Sequence, residues 1–332
     1  MSSDPSIDGV LVQWGERLFY PGNRIVKSWT PRLHGQSRAM AIRKRIEATV
    51  RRAPQVMVKV TGGGRGMAAI RAHFRYISKN GKLEIEDDRG VVERGRDALK
   101  EVERQWQYGG ALIDEEGHRR EAFNIMLSMP RGTDPLIVQR AAREFAKAEF
   151  ADHRYVMVLH DHQANPHVHL SVKAVSKHGQ RLNPRKADLH HWRETFAERL
   201  QEWGIDAEAT RQASRGEYRN RDELWRIKAR EQGTLTKDRP KKKSGEPQRL
   251  SRQAALDAWR QIFLALADSR SKDDQELARR IATFVQAMPM MTRTVAIQRD
   301  RERLPVERVH EPVRGRVQPA PERTRDGPEI GR

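Results

Sequence analysis

The chain predicts an α+β fold, a largely antiparallel sheet with helices packed on it, and three observations carry that expectation. Four stretches, near 55–60, 122–129, 154–160 and 167–175, have the length and apolar pattern of strands. Helical patterns fall unevenly between them, which suits antiparallel neighbours better than a regular alternation of strand and helix. Finally, 154–160 and 167–175 are separated by six residues that include Asn165-Pro166, a turn between adjacent strands.

Along the chain, residues 1–53 mix short apolar stretches with basic residues and form an N-terminal extension in which Trp14, Leu18 and Phe19 dock. Val56, Val58 and Val60 alternate with polar residues, as in a half-buried strand. Thr61-Gly-Gly-Gly-Arg-Gly66 then turns strand into a helix over 67–79; it lacks the Gly-Lys-Ser/Thr ending of a phosphate-binding P-loop. Residues 87–120 are charged and irregular, with one helix near 96–108. The 122–129 strand leads to Thr133-Asp134-Pro135, a capping side chain and a first-turn proline that start a helix running to 150. Leu189, Trp192, Phe196, Leu200 and Trp203 recur at spacings of 3, 4, 4 and 3, an amphipathic helix stopped by Gly204. A further helix is expected over 222–232.

Beyond that point the composition changes. Residues 237–252 hold seven basic and two acidic residues with Pro240, Gly245 and Pro247, and the basic linker is drawn at 233–250. One or two helices follow within 251–290. From Arg293 to the end there are ten Arg, no Lys and five Pro, so 291–332 is expected to be a disordered tail. The central segment 54–232 is the candidate catalytic domain. A formal net charge of +19 favours a polyanionic partner, nucleic acid first. No run of eighteen apolar residues exists and no signal-peptide pattern opens the chain, so no membrane insertion and a cytoplasmic location are expected. The absence of Cys excludes a disulfide scaffold and a zinc finger.

Two features carry chemistry. The first is His160-Asp-His-Gln-Ala-Asn-Pro-His167-Val-His169. Residues i and i+2 of a strand share a face, so His167 and His169 project together, and His160 at the end of the neighbouring strand lies opposite them. Three neutral imidazoles on rigid strands hold a divalent metal and leave its other positions open. The second is Tyr76. Met67, Ile70, Phe74 and Ile77 mark the core stripe of its helix, and at about 100° per residue Tyr76 lies roughly 140° from the stripe's centre. Flanked by Ala69, Ala72 and His73, it either packs against another element or presents its hydroxyl at a surface. The following Ser-Lys79-Asn-Gly-Lys82 attracts phosphates.

The 55–60 strand, the glycine run and Phe74-Arg-Tyr76-Ile-Ser-Lys-Asn-Gly-Lys-Leu83-Glu84 resemble the first motif of conjugative relaxases of the HUH superfamily, in particular P-type mobilisation nucleases and VirD-type endonucleases. The histidine segment resembles the metal motif of the same family, and the order of the two agrees. The resemblance covers about residues 54–216, ending near Ser214-Arg-Gly216. Two departures stand out. Family members often carry Asp two residues after the first His, where this chain has His162, so His160 is the third ligand by position, with His162 as its competitor. The family's middle Ser/Thr motif is matched loosely by Thr133, which a helix cap explains equally well.

The resemblance implies a central sheet of about five strands with the histidines on it and Tyr76 facing the metal. It also implies strand-specific nicking at a transfer origin. Tyr76 would attack a phosphodiester, leaving a 5′-phosphotyrosyl link and a free 3′-hydroxyl, assisted by Mg or Mn with Zn as the alternative. A phenol of ordinary pKa near 10 is a poor nucleophile at neutral pH without such help. Thr133, Lys79, Lys82, Lys173, Arg181, Arg185 and Lys186 are the candidate DNA contacts along a single strand. Implied partners are single-stranded origin DNA, relaxosome accessory proteins and a type IV coupling protein, with export of the protein on its DNA. The rivals are a rolling-circle replication initiator, in which the His motif usually precedes the Tyr, and a non-catalytic DNA-binding accessory protein of a transfer complex.

Overall fold

The computed structural model describes residues 5–20, 35–217, 229–236, 245–289 and 291. Most of the helix expected at 222–232, the centre of the basic linker and nearly all of the 291–332 tail lie outside the described residues.

Six strands, β1 (Met57–Gly62), β2 (Ile85–Asp87), β3 (Val92–Glu93), β4 (Ala122–Ser128), β5 (Tyr155–His160) and β6 (His167–Lys173), form one sheet in the order β1-β4-β6-β5-β2-β3. Every neighbouring pair is antiparallel. The four strands expected from the pattern are present. The two extra ones, β2 and β3, come from the segment read as irregular. Their brevity hides them, as does Glu86, a buried carboxylate in mid-strand. Arg143 pairs with that carboxylate and offsets its loss of water.

Period-2 alternation sorts the sheet into two faces. Val156 and Val158 of β5 point to the side covered by α3 (Met67–Ile77) and α4 (Arg96–Tyr108), where Met67, Ile70, Phe74 and Ile77 form the stripe expected from the sequence. Phe74 meets Trp106 edge-on with ring centroids 4.8 Å apart. Truncating a Phe so enclosed costs about 3–5 kcal/mol, and here would loosen the seat of the helix that carries Tyr76. The opposite face, with Ile125, Leu127, Met157, Leu170 and Val172, is covered by Phe145 of α5 (Pro135–Glu149) and by Trp192 and Phe196 of α6 (Lys186–Glu202).

The glycine run is a close-approach device rather than an anion cradle. The N–H groups of Met67 and Ala68, which open α3, donate to the carbonyls of Asp114 and Glu115 at 2.8 and 3.1 Å. They are not left for a phosphate. Gly66 has φ 138°, and a Cβ there would lie 2.6 Å from the Glu115 carbonyl oxygen, so only glycine fits.

Helices early and late in the described residues pack together. Helices α1 (Pro5–Phe19) and α2 (Gly35–Val50) share an apolar cluster with α7 (Glu246–Ala267) and α8 (Lys272–Gln286), built from Leu11, Phe19, Ile46, Trp259, Ile262 and Ile281. Leu18 and Phe19 dock as expected, against C-terminal helices rather than the sheet. This layer is tied to the sheet-bearing segment by Arg45 of α2. Its guanidinium lies over the Phe19 and Tyr20 rings and pairs with Glu194 of α6 and with Glu208. At the same joint the Ser214 hydroxyl donates to the Leu18 carbonyl at 2.5 Å, and Trp259 Nε1 donates to the Ser214 carbonyl at 2.7 Å.

Candidate metal centre and nucleophile

β5 and β6 pair with His160 opposite His167 and Val158 opposite His169. Directly paired residues of antiparallel strands project to one face, so all three imidazoles stand on the α3 side of the sheet. Each is buried. One nitrogen from each lies within 4.8 Å of the others, the converging set of possible metal ligands among the described residues.

Hydrogen bonds fix which nitrogens face inward. His160 Nε2 bonds the Ile77 carbonyl at 2.7 Å, so this nitrogen carries the proton and Nδ1 keeps its lone pair. His167 Nδ1 bonds the Asn165 carbonyl at 2.9 Å and leaves Nε2 free. The Nδ1 atoms of His160 and His169 are buried with no hydrogen-bond partner. Backbone carbonyls that hold the far nitrogen are the usual orienting shell of metal-ligating histidines. Burial first, and the neighbouring imidazoles second, lower the His160 pKa and push His169 down to about 3. Lowered pKa values at His160 and His169, with buried unspent lone pairs on both, fit a divalent cation. His162 lies on the exposed turn with its ring 5.1 Å from His160, outside the converging set.

Tyr76 is 68% exposed near the end of α3, and its ring centroid stands 6.3 Å from that of His169. Of the two placements left open by the sequence, the surface one holds. His73, one turn earlier on the same helix, completes a triangle, with its ring 6.3 Å from both Tyr76 and His169. Its Nε2 is buried without a partner, and burial pushes its pKa down to about 4. The sequence reading passed over His73 as a mere flank of Tyr76; its i, i+3 spacing was the available signal. Helix α3 ends in a left-handed turn, with positive φ at Lys79, Asn80 and Gly81, which leaves Lys79 and Lys82 exposed beside the cluster's rim.

The remaining candidate contacts divide. Arg185 and Lys186 are exposed at the start of α6, where the Arg185 N–H donates to Asp188 in a capping arrangement. Arg181 pairs with Glu121 at 3.4 Å. Lys173 corrects the sequence reading. It sits at the far end of β6, buried, with Nζ donating to the carbonyls of Trp106, Gly109 and Ala111 at 3.1, 3.1 and 2.7 Å. It closes the C-terminus of α4 instead of reaching a phosphate. The Thr133 hydroxyl donates to the Pro130 carbonyl at 3.0 Å, and the cap of α5 is Asp134, which accepts from Leu136 N–H at 2.8 Å.

Comparison with known proteins agrees with this geometry. Residues 76–205 match the family of relaxases described as MobA/VirD2-like, nuclease domain. The chain is also similar to the T-DNA border endonuclease VirD2 of Rhizobium radiobacter, with 26% identity over 182 residues. That alignment covers 49% of this chain and 43% of the relative, so the chain spans less than half the length of that protein.

Proposed function

We propose that this chain, whose residues 76–205 match the MobA/VirD2-like relaxase nuclease domain, is a strand-specific DNA nickase that acts by tyrosine transesterification at a transfer origin. The observation that carries the reading is the exposed Tyr76 standing 6.3 Å, ring to ring, from His169 of a buried histidine trio. In this reading His160 Nδ1, His167 Nε2 and one nitrogen of His169 hold a divalent cation. When bound, that cation supplies positive charge against the oxygens of the scissile phosphate and offsets the charge developing there. The Tyr76 oxygen attacks phosphorus, the bond from phosphorus to the 3′-oxygen breaks, and that oxygen takes up a proton as the Tyr76 proton is lost. The energy of the phosphodiester is kept in the phosphotyrosine, so the 3′-hydroxyl can reverse the step and reseal the strand.

Lys79 and Lys82, exposed beyond the end of α3, and Arg185 and Lys186 at the start of α6 are assigned to the DNA backbone. Magnesium or manganese suits oxygen-rich phosphate chemistry, and zinc suits an all-imidazole donor set. Carriage of the phosphotyrosyl strand through a type IV secretion coupler, with relaxosome proteins at the origin, belongs to the same proposal.

The test is incubation of the full chain with single-stranded DNA containing the element's own transfer origin, with Mn and with chelator. A covalent adduct that maps to Tyr76, needs the metal, and disappears in Tyr76→Phe while binding persists is the expected result. An adduct retained by Tyr76→Phe overturns the assignment. Specific binding without any metal-dependent nick would favour the accessory-protein reading.

A further inference from the structure

A second cationic site lies on the other side of the sheet. A cavity of about 550 Å³ opens between the glycine run, the segment before β4 and the connection into α6, and Arg65, His118, Arg120 and Arg181 line it over a floor that includes Phe123 and Leu189. No carboxylate lines it. Phe123 pairs with Val172, one residue out of phase with the Met126–His169 and Ser128–His167 pairs, so it points to the face opposite the histidines. Along β4 the cavity floor at Phe123 lies three and five residues, about 10 and 17 Å at ~3.4 Å each, from the partners of His169 and His167, and on the opposite face. A single phosphate therefore cannot touch both.

The cations are held rather than loose. The Arg120 guanidinium lies 5.1 Å from the Phe123 ring centroid, and Arg181 Nη2 donates to the Arg120 carbonyl at 2.6 Å. Arg65 is exposed between Gly64 and Gly66, in a turn pinned to residues 114–121 by the Met67, Ala68 and Glu121 N–H bonds. Among the described residues only Arg181 has an acidic partner here, Glu121. Like charges gathered round one hollow repel unless an anion enters it. A second basic hollow beside Tyr108 makes the contrast, for there Arg89 pairs with Asp87, and Arg104 with Glu101.

We propose that this cavity is a distal phosphodiester site, which grips the DNA backbone several nucleotides away from the bond cut at Tyr76. The inference rests on the reading of the chain as a DNA nickase but uses none of the catalytic residues. It assigns Arg65, His118, Arg120 and Arg181 to strand retention, so that a long origin strand is bound at two points and a short one at one.

Fluorescence anisotropy of the full chain with labelled origin oligonucleotides, short and long, at several salt concentrations tests it. Arg65→Ala with Arg120→Ala should weaken the long strand at least tenfold and lower its salt slope by about 1.4, roughly 0.7 for each lost phosphate contact. The short strand should bind as before. Arg65→Glu, at an exposed position, provides the same test without touching the Phe123 stack, and Arg270→Ala, between α7 and α8, serves as the charge control. Unchanged long-strand affinity overturns the proposal, as does equal weakening of short and long strands. Binding of a millimolar mononucleotide that is lost in Arg65→Glu, with long-strand affinity unchanged in the same variant, also overturns it, because the cavity would then serve a small anion. Covalent capture of the short strand is scored separately. Its absence beside an intact long-strand effect would remove the nickase reading and leave the cavity.

Discussion

Strand β6 is buried from His167 to Lys173, yet its two ends treat their polar groups in opposite ways. At one end His169, with His160 across the strand pair, keeps a buried nitrogen that nothing satisfies. At the other, Lys173 spends its three ammonium protons on three carbonyls. A buried polar group built for stability finds partners, and one left open costs free energy that packing elsewhere must offset. The first end is arranged for something to arrive; the second is already complete.

Substitutions at the two ends should therefore separate activity from stability. The largest effect expected is on cleavage: His169→Ala should lower metal-dependent nicking at least a hundredfold while leaving the thermal midpoint of the metal-free protein unchanged or raised. A comparable fall in the midpoint would break the comparison. Lys173→Met should do the reverse. Three carbonyls lose a charged donor, a loss of about 3 kcal/mol, which at 2–4 °C per kcal/mol lowers the midpoint by roughly 6–12 °C. Nicking by the folded fraction should persist; if it vanishes, Lys173 has a role at the DNA after all.

Acidity sharpens the same contrast. Burial lowers the pKa of His73 to about 4 and of His169 to about 3, so the folded state resists their protonation while the unfolded chain takes up protons near 6.5. Stability present above pH 6.5 should then be lost as the pH falls toward these values. His73→Gln should flatten that decline, as followed by thermal melts of metal-free protein, and an unaltered pH profile would show that His73 is not held neutral. The smallest effect belongs to Thr133→Ala, which loses one exposed hydrogen bond of about 0.5 kcal/mol. If nicking or DNA affinity changes more than twofold, Thr133 does more than shape the turn before α5.

The sheet core and the converging histidines were legible because both depend on local period. Val56, Val58 and Val60 announce an alternating strand, and His167 and His169 share a face by parity alone. What escaped depends on partners far along the chain. β2 holds a buried Glu86 that makes sense only with Arg143 of α5. Helices α1 and α2 were hidden because their partners lie more than two hundred residues away. Gly15 inside α1 reads as a helix breaker until Ile42 is seen against it, where a Cβ would come within 2.3 Å of the isoleucine side chain. Lys173 looked like a surface cation because nothing local reveals that the end of α4 lies over it.

The bond from His160 Nε2 to the Ile77 carbonyl joins the last residue of the tyrosine helix to the proposed metal site. Binding energies coupled through one contact are reciprocal. A cation that fixes the His160 ring steadies the end of α3, and order in α3 tightens the cation by the same factor. In the proposed covalent complex, a strand attached to Tyr76 that pulled on α3 would pull, one residue further on, at the carbonyl that sets the His160 tautomer. Load on the DNA would then reach the affinity of the proposed ion.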